Sequence, residues 1–192
     1  MSEKETTKQR MVNATIELIC QGKRPSEITV ADITEKADVG NGMVNYHFQS
    51  KDNLMRTAVK RVTICAKKAL LEKLKLFENA PAEERLVVIL KEITDFFAQN
   101  AEISKIAILD NLENDDGVPH LLSDVEVFND CIKELFGNKM RIIWIKNYVI
   151  AGFLNYIFLK ANIIKMETAF DFYDKSQRDQ VVDNFIRNLL NC

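Results

Sequence analysis

Apolar residues recur every three or four positions through most of the 192-residue chain, and this spacing limits the possible folds more than any other feature of the sequence. After residue 81, for example, Leu86, Ile93 and Phe97 fall on one face of a helix. No segment alternates between apolar and polar residues as a half-buried strand would, and only 6 Gly and 3 Pro interrupt the pattern. The sequence therefore predicts an all-α protein.

The breaks in the pattern predict where the helices begin and end. Helices are expected at 7–21, from 29, at 41–47, 51–78, over 86–97, and at 102–112, 121–136, 139–165 and 177–191. Thr29 with Asp32, and Ser176 with Asp179, have the spacing of a capping box, and Ser50 can cap the fourth helix. A tight turn is expected at 38–40, and the clearest loop at 113–119.

The charge of the chain is unevenly distributed. Residues 1–68 carry 12 Lys and Arg against 8 Asp and Glu, a net charge of +4, whereas residues 69–192 carry 14 against 20, a net charge of −6. A basic first third is typical of a domain that binds a polyanion such as nucleic acid. An imbalance of this size also arises by chance, so charge alone does not decide between the two interpretations.

The sequence contains no pattern typical of a metal site or of catalysis. Cys20, Cys65, Cys131 and Cys192 form no Cys-x-x-Cys pair, and the two histidines are far apart. We expect Cys20 and Cys65 to be buried in a protein from a reducing compartment. A Gly-rich phosphate loop, a His-Glu-x-x-His motif and a nucleophile elbow are also missing. The sequence thus predicts no metal, no cofactor and no enzymatic activity.

The longest apolar stretch, 149–159, is interrupted by Gly152 and Asn155. It is shorter than the roughly 20 residues that a membrane-spanning helix needs. The first residues are charged and no apolar segment follows them, so no signal peptide is expected. The sequence therefore predicts a soluble cytoplasmic protein with no membrane partner.

The segment 29–48 carries the strongest functional pattern. It predicts two short helices joined by a tight turn, which need the first and fourth helices to complete a core. This is the helix-turn-helix arrangement, whose second helix enters the major groove of DNA. Its predicted inner residues are Val30, Ile33, Ala37, Val39, Val44, Phe48 and Leu54, and its outer residues are Asn41, Gly42, Met43, Asn45 and Tyr46. Periodicity alone allows equally a surface hairpin without a role in DNA binding.

This segment resembles the signature of the tetracycline-repressor (TetR/AcrR) family. The matching features of 28–54 are Thr29-Val30, the spacing of Ile33, Ala37 and Val39, Gly42, the cluster Tyr46-His47-Phe48, and Ser50-Lys51 with Leu54. The resemblance implies a three-helix helix-turn-helix DNA-binding domain at 1–50. It also implies a helical effector-binding and dimerisation domain at 51–192, which starts with a long linking helix.

Two parts of the segment depart from the family pattern. At the turn, Asp38 stands where the family commonly has Gly, and Gly40 where it commonly has Ser. Asp38 must then adopt a left-handed backbone, which Asp tolerates better than most residues. Asn45 stands where the family commonly has Tyr, at a position that often contacts bases. The resemblance therefore implies DNA binding without implying a particular operator sequence.

The second helix of the motif would contact the bases. Asn41 and Asn45 carry amides that suit adenine edges, and Met43 suits a thymine methyl group. Gly42 would let the backbone approach the DNA closely. Because this helix has no Lys or Arg, we expect the contacted positions to be mainly A·T pairs.

Four further residues would act around that helix. Thr29, Tyr46 and Lys51 would hold phosphates, the last beside the N-terminus of the fourth helix. His47 either joins them or is a packed or capping histidine, and the sequence favours neither reading.

The rest of the chain gives expectations that depend on the resemblance. The last two helices, 139–165 and 177–191, would pair with those of a second copy, so that the homodimer binds a palindromic double-stranded operator. The middle helices would enclose a small-molecule effector that releases the repressor from DNA. The candidate wall residues are Phe97, Leu109, Trp144 and Tyr148, and plain core packing is the alternative for each.

An adaptor protein that has lost DNA binding is the remaining alternative, since the second helix of the motif is uncharged. Salt-dependent duplex binding would separate the two, because phosphate contacts release counterions and adaptor contacts need not.

Overall fold

The computed structural model describes residues 6–113 and 126–191, and these residues form only helices, which confirms the predicted all-α class. A 3₁₀ turn, Lys75–Phe77, follows α4. The α-helices are α1 (Thr7–Cys20), α2 (Val30–Lys36), α3 (Gly42–Phe48), α4 (Lys51–Leu74), α5 (Ala82–Gln99), α6 (Ala101–Glu113), α7 (Glu126–Phe136), α8 (Met140–Leu159), α9 (Ala161–Thr168) and α10 (Lys175–Leu190).

The described residues divide into two compact units. Unit 1 comprises 6–65 and 102–113, and unit 2 comprises 66–101 and 126–191, so the division falls within α4. The sequence predicts a different boundary, at residue 50, between the helix-turn-helix and the whole of α4. That boundary divides the chain by function, and it stays a prediction.

Unit 1 is built on the apolar face of α1 and on a well-capped α2. Met11 and Ile19 are buried on α1, and a positive φ of 83° at Gly22 follows the end of that helix. The predicted capping box of α2 is confirmed. The Thr29 hydroxyl accepts a hydrogen bond from the Asp32 backbone N–H at 3.1 Å, and the Asp32 carboxylate accepts one from the Thr29 N–H at 2.8 Å.

The turn between α2 and α3 depends on a left-handed residue, as predicted. Asp38 has φ 52°. The Arg10 guanidinium of α1 donates a hydrogen bond of 3.2 Å to the Asp38 carbonyl and lies 3.8 Å from its carboxylate. Gln49, the C-cap residue of α3, has φ 68°. Ser50 caps α4 as predicted, since its Oγ accepts from the Asn53 N–H at 3.1 Å.

Unit 2 is organised around α5, which packs against α7, α8 and α10. Phe97 of α5 is 1% exposed, and its ring centroid lies 5.0 Å from that of Phe158. Phe158 in turn lies 5.6 Å from Phe172. These three aromatic side chains form the centre of the unit 2 core.

A buried ion pair joins α10 to α5 within unit 2. Arg178 is 3% exposed, and its guanidinium donates to the Asp95 carboxylate and, at 2.7 Å, to the Phe172 carbonyl. Lys175 also donates to Asp95, at 2.5 Å. Burial by itself raises the pKa of Asp95, but the hydrogen bonds from Arg178 and Lys175 outweigh it, so the pKa lies below its usual value.

Two helix predictions near the C-terminus are wrong. The last helix begins after Asp174, whose carboxylate accepts from the Gln177 N–H at 2.9 Å, and not at a capping box of Ser176 and Asp179. The helix expected at 139–165 is two helices, because Lys160 leaves helical geometry with φ −103° and ψ 11°. Neither glycine nor proline marks this break.

The burial expected for two cysteines is also wrong. Cys20, the last residue of α1, and Cys65 of α4 are both exposed. Cys131 is buried, and burial raises the pKa of its thiol. Cys192 and most of the loop expected at 113–119 lie outside the described residues, while Glu113 closes α6.

Within 6–113 and 126–191, one helix, α8, is long and apolar enough to cross a membrane by length and composition. It has 20 residues, and its mean hydropathy is 1.5 over 18 of them, of which 33% are buried. The stretch 149–159 considered in the sequence is thus only part of a longer apolar helix. Core helices of soluble proteins pass the same test, so α8 alone is weak support for a membrane location.

Candidate nucleic-acid interface

The α2–α3 pair has a buried apolar side and an exposed polar side, which is the division that the sequence predicts. A helix as short as α3 is unstable by itself, so the core of unit 1 must hold it in place. The buried residues are Ile33, Ala37, Val44, Phe48 and Leu54, while Val30 and Val39 are half-buried. The exposed residues are Asn41, Gly42, Asn45 and Tyr46, and Met43 is half-buried.

Asn41 is held by a residue that the sequence analysis missed. It is the N-cap residue of α3, but its side chain makes no capping hydrogen bond. Instead, its Oδ1 accepts a hydrogen bond of 2.5 Å from the hydroxyl of Thr34, which lies on α2 and is 1% exposed. Thr34 faces inward, so an amphipathic pattern shows it only as a small buried residue.

Gly42 has no structural requirement for glycine in the protein alone. A Cβ added there would meet no atom within 4 Å, and its φ does not lie in the left-handed region. The predicted reason for this glycine, close approach of DNA, remains a prediction. Asn45, one turn further along α3, is exposed on the same outer side.

An aromatic cluster follows on α3. The Tyr46 side chain is 79% exposed, and its ring meets that of His47 edge-on with 4.8 Å between centroids. His47 is half-buried, 6.4 Å from the ring of buried Phe48. His47 therefore lies between an exposed and a buried ring, which fits either of its two predicted roles.

Lys51 and Thr29, two of the predicted phosphate ligands, already have partners within unit 1. The Lys51 ammonium donates to the carbonyls of Pro25 at 3.1 Å and Ile28 at 2.9 Å. Since an ammonium has three donors, one is left for a phosphate. The Thr29 hydroxyl donates to the Asp32 carboxylate at 2.7 Å. Both residues thus stabilise the loop that precedes α2.

A second missed residue brings a cation close to α3. Lys8 of α1 is exposed, and its Nζ lies 5.5 Å from the centroid of the Phe48 ring. Forty positions separate the two residues, so only the packing of α1 on α3 reveals their proximity. Lys8 is therefore a candidate phosphate contact beside a helix that has no cation of its own.

Asp32 is the most strongly perturbed carboxylate of the motif. Hydrogen bonds from the Thr29 backbone N–H and hydroxyl, followed by one from Lys23, lower its pKa to about 2. The capping box of α2 is therefore fully charged at neutral pH. Across 6–113 and 126–191, no group of three or more His, Cys, Asp or Glu side chains is arranged to hold a metal ion.

Comparison with solved structures identifies the fold. FadR from Bacillus subtilis, solved with stearoyl-CoA, matches with a TM-score of 0.68 at 15% identity, over 94% of this chain and 96% of FadR. A TetR-family transcriptional regulator from Bordetella parapertussis matches with a TM-score of 0.59 at 14% identity, over 97% of this chain and 95% of that protein. This chain has the TetR-family fold.

A sequence relative matches part of the chain. BetI of Escherichia coli, an HTH-type transcriptional regulator, is 26% identical over 83 residues. The matched segment is 43% of this chain and only 42% of BetI. No protein-family model matches the chain.

Within the TetR-family fold, the four candidate wall residues lie in different surroundings. Phe97 is in the core of unit 2, and Leu109 is 38% exposed on α6 in unit 1. Trp144 and Tyr148 lie one turn apart on α8 with their ring centroids 4.8 Å apart, and both side chains are more than half exposed. The structure thus pairs Trp144 with Tyr148 and does not bring Phe97 to that surface.

Unit 2 has a cavity of about 410 Å³ between the end of α4 and α5. Lys73 and Glu92 form an ion pair of 2.5 Å in its wall. The apolar lining residues are Ala66, Ala69, Leu70 and Phe96, and the polar ones are Lys73, Glu92, Asp95 and Gln99. The sequence did not predict this cavity, because its lining residues come from two helices and form no ligand-binding motif.

An exposed apolar stripe runs along α8, one residue per turn. Its side chains are Met140, Trp144, Tyr148 and Tyr156, exposed by 78%, 59%, 58% and 62%. Gly152, also exposed, occupies the remaining turn. Buried residues on the other side of α8, such as Ile150 and Leu154, attach the helix to the core.

Proposed function

We propose that the chain is a DNA-binding transcription regulator, a repressor that a small-molecule effector releases from a palindromic operator. One observation carries this proposal: α3 presents a polar outer side of Asn41, Gly42, Asn45 and Tyr46 from a helix-turn-helix in the TetR-family fold.

In the proposed complex, the outer side of α3 enters the major groove. Asn41, Gly42, Met43 and Asn45 contact bases, mainly at A·T pairs. Five residues contact the DNA backbone: Lys8, Thr29, Tyr46, His47 and Lys51. Of these, Thr29 and Lys51 also keep their hydrogen bonds within unit 1.

We propose a homodimer through the last helices, with the α8 stripe at its centre. Large exposed aromatic side chains are unusual on the surface of a monomer when they form one contiguous stripe. Gly152 would let the partner helix approach closely at the middle of the stripe. Two copies are needed because an operator has two half-sites about 34–36 Å apart. In this arrangement Trp144 and Tyr148 serve the dimer rather than the effector site.

We propose that unit 2 binds an amphipathic effector. The α4–α5 cavity has a volume in the range of small-molecule sites, and apolar and polar residues line it in equal number. The Lys73–Glu92 ion pair in its wall can exchange partners with a charged ligand. FadR from Bacillus subtilis was solved with stearoyl-CoA, so acyl-CoA is the first class to test. Phe97 and Leu109 do not line this cavity, and their role in effector binding stays a separate prediction from the sequence. The effector releases the protein from DNA if it binds more tightly to the protein conformation that does not fit the operator.

The experiment that tests the regulator proposal is selection of bound duplexes from a random pool, at low and high salt. We expect an inverted repeat whose affinity falls with salt, because phosphate contacts release counterions. Asn45→Ala should abolish the enrichment, whereas the control Asn162→Ala, also an exposed helical asparagine but in unit 2, should not. Selection of no duplex with or without acyl-CoA would overturn the proposal and favour the adaptor.

The effector proposal is tested by titrating stearoyl-CoA, with free CoA as the control, into the protein–operator complex. Ala69→Phe fills the cavity from an exposed helical position and should abolish release while leaving operator affinity unchanged. Release that persists in Ala69→Phe would place the effector elsewhere. In this proposal the protein acts in the cytoplasm and catalyses no reaction.

A further inference from the structure

We propose that Thr34 is a positioning residue that orients the Asn41 side chain, so that Asn41 presents its amide N–H₂, and not its carbonyl, to the bases. This inference rests on the proposed DNA-binding function. Asn41 would then donate to a hydrogen-bond acceptor on a base edge, such as a purine N7. This single contact replaces the two-point contact with adenine expected from the sequence.

The Thr34 hydroxyl has one proton and three acceptors within reach. The Asn41 Oδ1 lies at 2.5 Å, whereas the carbonyls of Val30 and Ala31 lie at 3.0 and 3.2 Å. Both carbonyls belong to α2, where they already accept helical backbone hydrogen bonds. We assign the proton to Asn41, because its Oδ1 is the nearest of the three acceptors. Since Thr34 is 1% exposed, no solvent competes for it.

The geometry of the amide sets the consequence. The oxygen and nitrogen of an asparagine amide branch from the same carbon in one plane. When Oδ1 points to α2, Nδ2 points away from it. Asn41 is exposed and its side chain does not cap α3, so the nitrogen is available on the outer side of the motif. The recognition helix thus begins with a fixed donor.

A fixed donor selects different bases from a free asparagine. The two-point contact with adenine uses the amide oxygen for N6 and the amide nitrogen for N7. Using the oxygen would cost the buried Thr34 hydroxyl its shortest hydrogen bond and leave it only the longer contacts with the carbonyls of Val30 and Ala31. The amide nitrogen alone donates equally well to the N7 of adenine or of guanine. We therefore expect a purine, not specifically an adenine, opposite Asn41.

The test begins with the operator that wild-type protein selects. Each purine is replaced in turn by its 7-deaza analogue, which removes the N7 acceptor and keeps Watson–Crick pairing. Wild-type affinity should fall about fivefold at one purine per half-site, as expected for one lost hydrogen bond. That sensitivity should vanish in Asn41→Ala, which identifies the contacted purine.

Two substitutions at residue 34 then separate positioning from packing. Thr34→Val keeps the branched shape and removes the hydroxyl, so it frees the Asn41 amide. We expect Thr34→Val to gain about fivefold preference for adenine over guanine at the contacted position, because both amide atoms can now pair. Thr34→Ser keeps the hydroxyl and should retain the wild-type indifference to the two purines. Circular dichroism checks that both variants fold; if Thr34→Val does not, the wild-type comparison of the two purines still decides.

The outcomes separate this inference from the function on which it depends. Selection of no duplex overturns the regulator proposal and the inference with it. A selected operator that requires the adenine N6 amino group opposite Asn41 in wild-type protein means that the carbonyl faces outward, and overturns only the inference. The same holds if Thr34→Val and wild type show the same base preference.

Discussion

Gly42→Ala should make the protein more stable and its DNA binding weaker. Glycine in a helix costs about 0.5–1 kcal/mol relative to alanine. The substituted Cβ meets no atom within 4 Å, so no clash offsets the gain. Gly42 is the first residue of α3, where the lower end of that range, about 0.5 kcal/mol, is the reasonable figure. For a chain of this size that raises Tm by roughly 1–2 °C.

The effect on DNA binding should have the opposite sign. The added methyl group projects from the exposed side of α3 towards the bases, and α3 must then move outward. Losing one good pair of base contacts costs about 1–3 kcal/mol, so operator affinity should fall at least about fivefold. Fluorescence anisotropy with the selected operator measures this, and differential scanning calorimetry measures Tm.

Gly40→Ala is the matched control. Its Cβ also meets no atom within 4 Å, and it lies in the turn rather than on the outer side of α3. It should change operator affinity by less than about twofold. If Gly42→Ala bound the operator as tightly as wild type, the close approach of α3 to the bases would be refuted. The stabilising effect would be unaffected by that result.

The remaining predictions concern charge and assembly. Lys51→Met should lower the free energy of unfolding in urea by about 1–2 kcal/mol, because the ammonium donates to two backbone carbonyls. Lys8→Gln should leave the free energy of unfolding unchanged. It should, however, reduce the salt slope of DNA binding by about 1. Equal effects of the two would contradict these roles. Trp144→Glu should convert the dimer to a folded monomer in light scattering, and a dimer that persists would exclude the α8 stripe. Asp32 has a lowered pKa of about 2, so its stabilisation is present above the unfolded pKa of about 3.9 and is lost as the pH falls towards 2. The stability difference between wild type and Asp32→Asn should shrink across that window, and a constant difference would argue against the capping box as its source.

Local signals in the sequence were sufficient for the helix-turn-helix. The Thr29 capping box and the Ser50 cap depend on contacts within three residues, and the left-handed Asp38 follows from the backbone tolerance of Asp; all three are confirmed. The division of α3 into buried and exposed sides follows from periodicity in the same way. The sequence did not predict contacts between residues that are distant along the chain, such as the contact of Lys8 with the Phe48 ring.

The predictions from the sequence were wrong where two residues suited the same N-cap, or where no residue type marked the feature. Asp174 and Ser176 are two residues apart and both suit an N-cap, and in the structure Asp174 is the N-cap residue. Lys160 interrupts the helix without a helix-breaking residue. Trp144 and Tyr148 look like core residues by type, and only the structure shows them exposed. On a helix that pairs with a second copy, an apolar side chain is expected to be buried. Its type does not show whether it is buried within its own chain or against the second copy.

The way α3 is held suggests why a seven-residue helix can serve as a recognition element. At its start the Thr34 hydroxyl binds Asn41, and Arg10 fixes the preceding turn through the Asp38 carbonyl. At its end the Asn53 amide donates to the Phe48 carbonyl at 3.0 Å. These bonds come from α1, α2 and α4, so the orientation of α3 is set before DNA is present. Preorganisation of this kind reduces the entropy lost on binding, which matters most for a helix that has no cation to add electrostatic affinity.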